Sequence, residues 1–223
     1  MLAFGHMGLT LGLAVLLTGV AVRDNPTTPP SASSALRPGG RASLWPRITA
    51  RAAHWLDRLA GRVDLRVLLI GSLLPDIIDK PAGQLFFRTT FGNGRIMAHT
   101  LLFLLLLDLT GLLLYRRRGR TWLLTLAFGT ATHLVFDQMW RQPRTLWWPA
   151  YGLTFPRADL TNWFPGMLHA LVANPALLAS EVTGAAVLGL LSLLLLRRKN
   201  VRAFLRHGTV NASSGTTARS SLV

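Results

Sequence analysis

The reading of this chain turns on GSLLPDIIDKP, residues 71–81. The stretch ends an apolar run that begins near residue 63, and it carries two carboxylates, Asp76 and Asp79, where charge is costly. Aspartates three residues apart share one face of a helix and can hold a cation. Pro75 opening a new turn would make them helix caps instead.

The composition around that stretch is that of a membrane protein. Half of the 223 residues are hydrophobic (50%), 15% are charged, and the mean hydropathy is +0.37. That is too apolar for an ordinary soluble domain of this length. The net charge of +15 would suggest nucleic acid in a soluble domain. Here the arginines flank apolar segments, so the expected partners are membrane lipids with anionic headgroups on the cytoplasmic side, and no nucleic acid. The chain has no cysteine, which excludes disulfides and thiolate metal sites and leaves His, Asp and Glu as the available ligands.

Five apolar segments follow one another: 1–22, 63–78, 96–115, 122–139 and 175–196. The first has no basic residue before it and no small-x-small cleavage site, so it reads as a retained span and not a signal peptide. Residues 24–46 are rich in Pro, Ser, Ala and Arg and read as a flexible linker. Residues 47–60 place apolar side chains at helical spacing with arginines elsewhere, the pattern of an amphipathic helix on a membrane surface. A helical core is expected over 62–200 and a disordered tail over 201–223. The fold class is all-α, a polytopic membrane helix bundle of about five transmembrane segments with a cytoplasmic amphipathic helix.

Alternating the loops between two sides puts seventeen lysines and arginines on one side and six on the other. The richer side is cytoplasmic by the positive-inside rule, which places the N-terminus outside and the C-terminus inside a cell (inner) membrane. On that map His6, Asp76, Asp79, His99, His133, Asp137 and Glu181, drawn from all five segments, reach one level near the outer face. Intramembrane ionisable groups usually face a polar cavity, where they pair or bind an ion.

His133 and Asp137 stand four apart and can share a cation, or form a structural pair. His99 is either a ligand or an interfacial histidine bonded to backbone. Glu181 is a further ligand or a general base, or else hydrogen-bonds across helices. Arg95 clamps a phosphate or anchors its segment among headgroups. Asp108 lies roughly 13 Å along a helix from His99, too deep for the same set. His54, His169 and His207 are not expected to be ligands. Imidazoles plus carboxylates suit a divalent metal, foremost Zn²⁺, with Mn²⁺ or Fe²⁺ as alternatives, and an open position on such a metal supports hydrolysis.

At these residues the sequence resembles the membrane-bound metal-dependent hydrolases that include the LexA-regulated inner-membrane protein of enterobacteria. The matching motifs are Gly5-His6, Leu74-Pro75-Asp76 with Asp79 and Pro81, Arg95 to Thr100 with His99, His133 with Asp137, and Leu146-Trp147-Trp148-Pro149. The resemblance implies that His6, Asp76, His99, His133 and Asp137 are metal ligands, with a distant likeness to zinc-dependent phospholipase C and single-strand nucleases. Two positions depart from the family pattern: Gly94 stands where the family has a histidine, and Asp79 comes one residue late, after Ile78. The expected activity is hydrolysis of an ester or phosphoester in a lipid or lipid-linked substrate, with Glu181, Asp79 and Arg95 as the further catalytic candidates. The rival readings are a non-catalytic membrane protein with a structural metal or polar cluster, and an ion or solute transporter.

Overall fold

The computed structural model describes residues 2–23, 63–157 and 163–208, whose regular structure is entirely helical. The linker over 24–46 and the amphipathic helix over 47–60 lie outside the described residues.

Helix α1 (Ala3–Arg23) lies along the long helix that closes the core, Pro175–Arg197. The latter starts where Asn174 accepts hydrogen bonds from the Ala176 and Leu177 amides, with Pro175 in its first turn. The two helices meet backbone to backbone. A Cβ on Gly8 would strike the Gly184 backbone, and one on Gly184 would strike the backbone of Phe4 and Gly5. Small residues at a crossing permit this approach.

The second apolar segment is broken in two, α2 (Leu65–Gly71) and α3 (Leu74–Lys80). Pro75 has no N–H to donate back into a continuing helix, so the chain restarts at Leu74 with the proline in its first turn. A π-helical turn, Pro81–Phe86, extends α3. Helix α4 (Leu101–Arg118) begins later than the third apolar run. Thr100 caps it, its Oγ1 accepting from the Phe103 amide at 3.0 Å. Helix α5 (Trp122–Phe136) ends with Asp137 as its C-cap, and the chain turns at Gln138, which has a φ of 53°. Asp137 therefore stands just past the helix that carries His133. A short 3₁₀ turn, Met139–Arg141, precedes α6 (Pro143–Leu146). Helix α7 (Trp163–Ala173) then leads into α8, the Pro175–Arg197 helix already described. Helix α9 (Val201–His207) occupies the start of the region expected to be a disordered tail.

Both α2 and α4 pack on α5. One apolar cluster joins Leu11 and Ala14 of α1, Leu65 and Leu68 of α2, and Leu191, Leu194 and Leu195 of α8. A second, built on Leu134, Met139 and Leu146, packs against Leu101 and Leu104. The polar cluster lies where α1 begins, α2 breaks, α4 begins and α5 ends.

Among the described residues one helix, Pro175–Arg197, is long and apolar enough to cross a membrane by length and composition. Ala3–Leu17 and Trp122–Phe136 are shorter apolar helices. Helix α4 has 18 residues, but it contains Asp108 and ends in Arg116, Arg117 and Arg118. Its outward face, including Leu102, Leu105, Leu109 and Leu113, is exposed.

Candidate metal centre

His6, Asp79, His99 and His133 are each 0% exposed, although all four are polar or charged. Groups of this kind are buried only when partnered or when they bind something.

Asp79 is fully partnered. Its carboxylate accepts from the backbone amides of Ile96 (2.7 Å), Ala98 (3.0 Å) and His99 (3.1 Å), and it lies 2.7 Å from His99 Nδ1. The chain from Ile96 to His99 is non-helical because these amides turn onto the carboxylate instead of onto carbonyls. Asp79 therefore both shapes this loop and orients its histidine.

His133 is oriented in the same way by backbone. Its Nδ1 lies 2.7 Å from the Ser72 carbonyl oxygen, which the break between α2 and α3 leaves free to accept. A close approach of α2 to α5 makes this contact possible: a Cβ on Gly129 would run into Gly71 and Ser72.

The tautomers follow. A carbonyl oxygen can only accept, so His133 Nδ1 carries the hydrogen. The Asp79 carboxylate likewise takes the hydrogen of His99 Nδ1. In their neutral forms both rings then present bare Nε2 lone pairs, and these face each other across 3.3 Å. Asp76 Oδ1 lies 3.7 Å from His99 Nε2 and 3.9 Å from His133 Nε2. Three acceptors that converge in this way repel one another unless a proton or a cation lies between them. Bonds of about 2.0–2.1 Å in a tetrahedron place neighbouring ligand atoms about 3.3–3.4 Å apart, so the spacing suits a divalent ion after a small contraction.

A second group adjoins the first through His133. His6 stacks on the His133 ring, with centroids 3.9 Å apart, and its Nε2 lies 3.2 Å from Asp137 Oδ1. Neither ring nitrogen of His6 makes a hydrogen bond, so this contact is close without being a well-directed bond. His6, His133 and Asp137 offer atoms within 4.8 Å of one another, as do Asp76, His99 and His133. Each carboxylate also has a basic partner on its other oxygen: Lys80 Nζ is 2.7 Å from Asp76 Oδ2, and Arg95 Nε and Nη2 are both 2.8 Å from Asp137 Oδ2. One oxygen of each carboxylate thus holds a cationic side chain while the other faces the histidines.

Of the residues singled out in the sequence, His6, Asp76, His99, His133 and Asp137 come together. Asp79 acts through His99, and Arg95 sits on Asp137. Glu181 is elsewhere in role: its Oε1 accepts from the Leu2 amide (2.6 Å) and its Oε2 from the Gly5 amide (3.0 Å), closing the N-terminus of α1. It thereby fixes the turn that carries His6. Asp108 is exposed on α4 and takes no part in the cluster. At Gly94 a Cβ would meet the Gln84 side chain and Lys80, so those two occupy the space a larger residue would need. Sequence reasoning missed Ser72, whose contribution is a carbonyl oxygen and leaves no side-chain signal.

The helices and the buried cluster define an all-helical protein with a His/Asp constellation at one end of its bundle. Its family is that of the YdjM inner membrane protein: the family model matches residues 1–201, and the chain belongs to it. No curated protein and no solved structure matches the chain.

Proposed function

We propose that this membrane protein is a metal-dependent hydrolase whose divalent cation is held by Asp76, His99 and His133. The observation that carries this reading is the pair of Nε2 atoms 3.3 Å apart, each with its other nitrogen committed, beside a carboxylate oxygen. Zinc needs only that set with one position left open, whereas octahedral Mn²⁺ or Fe²⁺ would use His6 and Asp137 as well. When bound, such an ion supplies Lewis acidity toward an ester or phosphoryl oxygen and a nucleophile at neutral pH.

The chain's own residues prepare the site. Asp79 and the Ser72 carbonyl fix both ring orientations and leave each Nε2 as the nitrogen that faces the cluster. Lys80 and Arg95 hold the outer carboxylate oxygens, so Asp76 and Asp137 each turn one oxygen inward. His6, with both nitrogens free of hydrogen bonds, is available to ligate or to hold a proton at Nε2 beside Asp137 Oδ1.

The substrate in this reading is an ester or phosphoester of a lipid or lipid-linked molecule. Five membrane segments, with the N-terminus outside, would put the centre near the extracytoplasmic headgroups, where such a bond resides. The test is turnover of a panel of phosphodiester and carboxylic-ester lipids by the purified chain in bilayers. Hydrolysis that stops on chelation and in His99→Asn supports the reading. Hydrolysis that is unchanged by both overturns it, and metal without turnover on any panel member assigns the centre a structural role.

A further inference from the structure

Carboxylic esters and phosphoesters differ in charge, and the edge of the His/Asp cluster is charged. His6, His99 and His133 are closed to solvent, and the Asp137 side chain is 3% exposed. Asp76, at 13%, is the most open of the carboxylates that face the histidines, and Lys80 lies on it. The Lys80 and Arg95 side chains, which cover the outer oxygens of Asp76 and Asp137, are 39% and 37% exposed. A molecule that reaches the cluster past Asp76 therefore meets a cation first. The donors stand on one edge: a Cβ on Gly94 would meet the Gln84 side-chain amide and the Lys80 stem, so both lean on the peptide that leads into Arg95.

These side chains keep hydrogens to spare. Lys80 Nζ carries three, of which the Asp76 carboxylate takes one. Arg95 commits Nε and Nη2 to Asp137 Oδ2, which leaves the hydrogens on Nη1. Among the described residues the Gln84 amide has no hydrogen-bond partner. Charge points the same way. Asp76, Asp79 and Asp137 against Lys80 and Arg95 leave one negative charge, and a divalent cation turns that into one positive charge when the imidazoles are neutral. A carboxylic ester is neutral and presents one carbonyl oxygen. A phosphodiester carries one negative charge over two non-bridging oxygens, which matches both the charge left over and the set of spare donors.

Given the cation proposed for Asp76, His99 and His133, on which this selectivity rests, we infer that Lys80, Gln84 and Arg95 select a phosphodiester over a carboxylic ester. Their spare hydrogens go to its non-bridging oxygens, and none of the three is a metal ligand. The turn that carries Gln84 runs on into Leu85, Phe86 and Phe87, which are 74%, 77% and 55% exposed. That apolar step beside the donors suits the hydrocarbon part of a lipid phosphodiester.

The experiment uses the full chain in neutral detergent, loaded with Co²⁺ as a paramagnetic stand-in for zinc, freed of unbound ion and assayed for metal content. Diethyl phosphate and triethyl phosphate, which differ by one ethyl group and one charge, are titrated separately. Binding beside the metal is read from the ³¹P relaxation that the ion induces. Diethyl phosphate should saturate, and triethyl phosphate should bind at least about tenfold more weakly. Lys80→Gln and Arg95→Gln should each raise the Kd for the diester about tenfold at the parent's metal content, because each removes a positive charge from beside the ion. Gln84→Ala, which removes an amide without a protein partner, should raise it about threefold and leave the metal in place. A parent that takes up no metal would sink the cation and the selectivity together. A parent that holds metal overturns the selectivity alone if the diester does not saturate, if the two esters bind alike, or if all three variants bind the diester as the parent does. Should a cation variant lose its metal, Gln84→Ala decides: a parent-like Kd there overturns the selectivity and a raised one supports it.

Discussion

His99 and His133 aim their Nε2 atoms at each other across 3.3 Å, and each is held in place from behind, one by the Asp79 carboxylate and the other by the Ser72 carbonyl. The partners behind the rings decide the chemistry in front, because they fix which nitrogen carries the hydrogen. Were either ring to flip its tautomer, the facing lone pairs would vanish and so would the reason for a cation.

Asp79→Asn should weaken metal binding by about 10–100-fold although Asp79 is not a ligand. The asparagine amide would turn an N–H₂ toward backbone N–H groups that now donate to a carboxylate, so unfolding should also become easier by about 3 kcal/mol. Metal titration and thermal melts check both parts. Unchanged metal affinity in a folded Asp79→Asn protein would remove the orienting role.

Glu181→Gln should leave metal stoichiometry unaltered and cost about 1–3 kcal/mol of stability, since Glu181 caps the first turn of α1 without entering the cluster. Loss of metal from a variant that melts like the parent would mean that Glu181 is a ligand after all.

Two glycines on α8 should respond with opposite signs. At Gly189 a Cβ meets nothing within 4 Å, so Gly189→Ala should stabilise the helix by about 0.5–1 kcal/mol. At Gly184 a Cβ would strike the backbone of Phe4 and Gly5, so Gly184→Ala should destabilise by about 1–3 kcal/mol and disturb His6, one residue further along. Melting temperatures of the pair read this directly, and equal shifts would contradict the α1–α8 crossing.

The helical class and the gathering of His6, Asp76, His99, His133 and Asp137 were legible in the sequence, because apolar runs delimit segments and charges inside them stand out. Three features were not. The break in the second segment needs only Pro75 to be foreseen, but that it frees the Ser72 carbonyl for His133 depends on Gly71 and Gly129 letting two backbones touch. Asp79 reads as a potential ligand until the amides of Ile96, Ala98 and His99 are seen to fill its oxygens. Glu181 shares a level with the cluster along the chain, and only the helix pairing shows its carboxylate turned to the start of α1. Segment lengths also misled at the edges: α4 starts at Leu101 because Thr100 caps it, and Asp137 ends α5 instead of lying within it.

The central claim is that the facing histidines exist to hold a cation, and elemental analysis of the purified chain beside His133→Asn tests it most directly. Asparagine at 133 can still donate to the Ser72 carbonyl, as Nδ1 does, but it has no counterpart to Nε2, so the fold should persist while the ligand is lost. The account predicts about one equivalent of Zn, Mn or Fe per parent chain and little in a variant that retains its melting temperature. A parent without metal after loading with each of these ions, or a folded His133→Asn that holds as much as the parent, would contradict it.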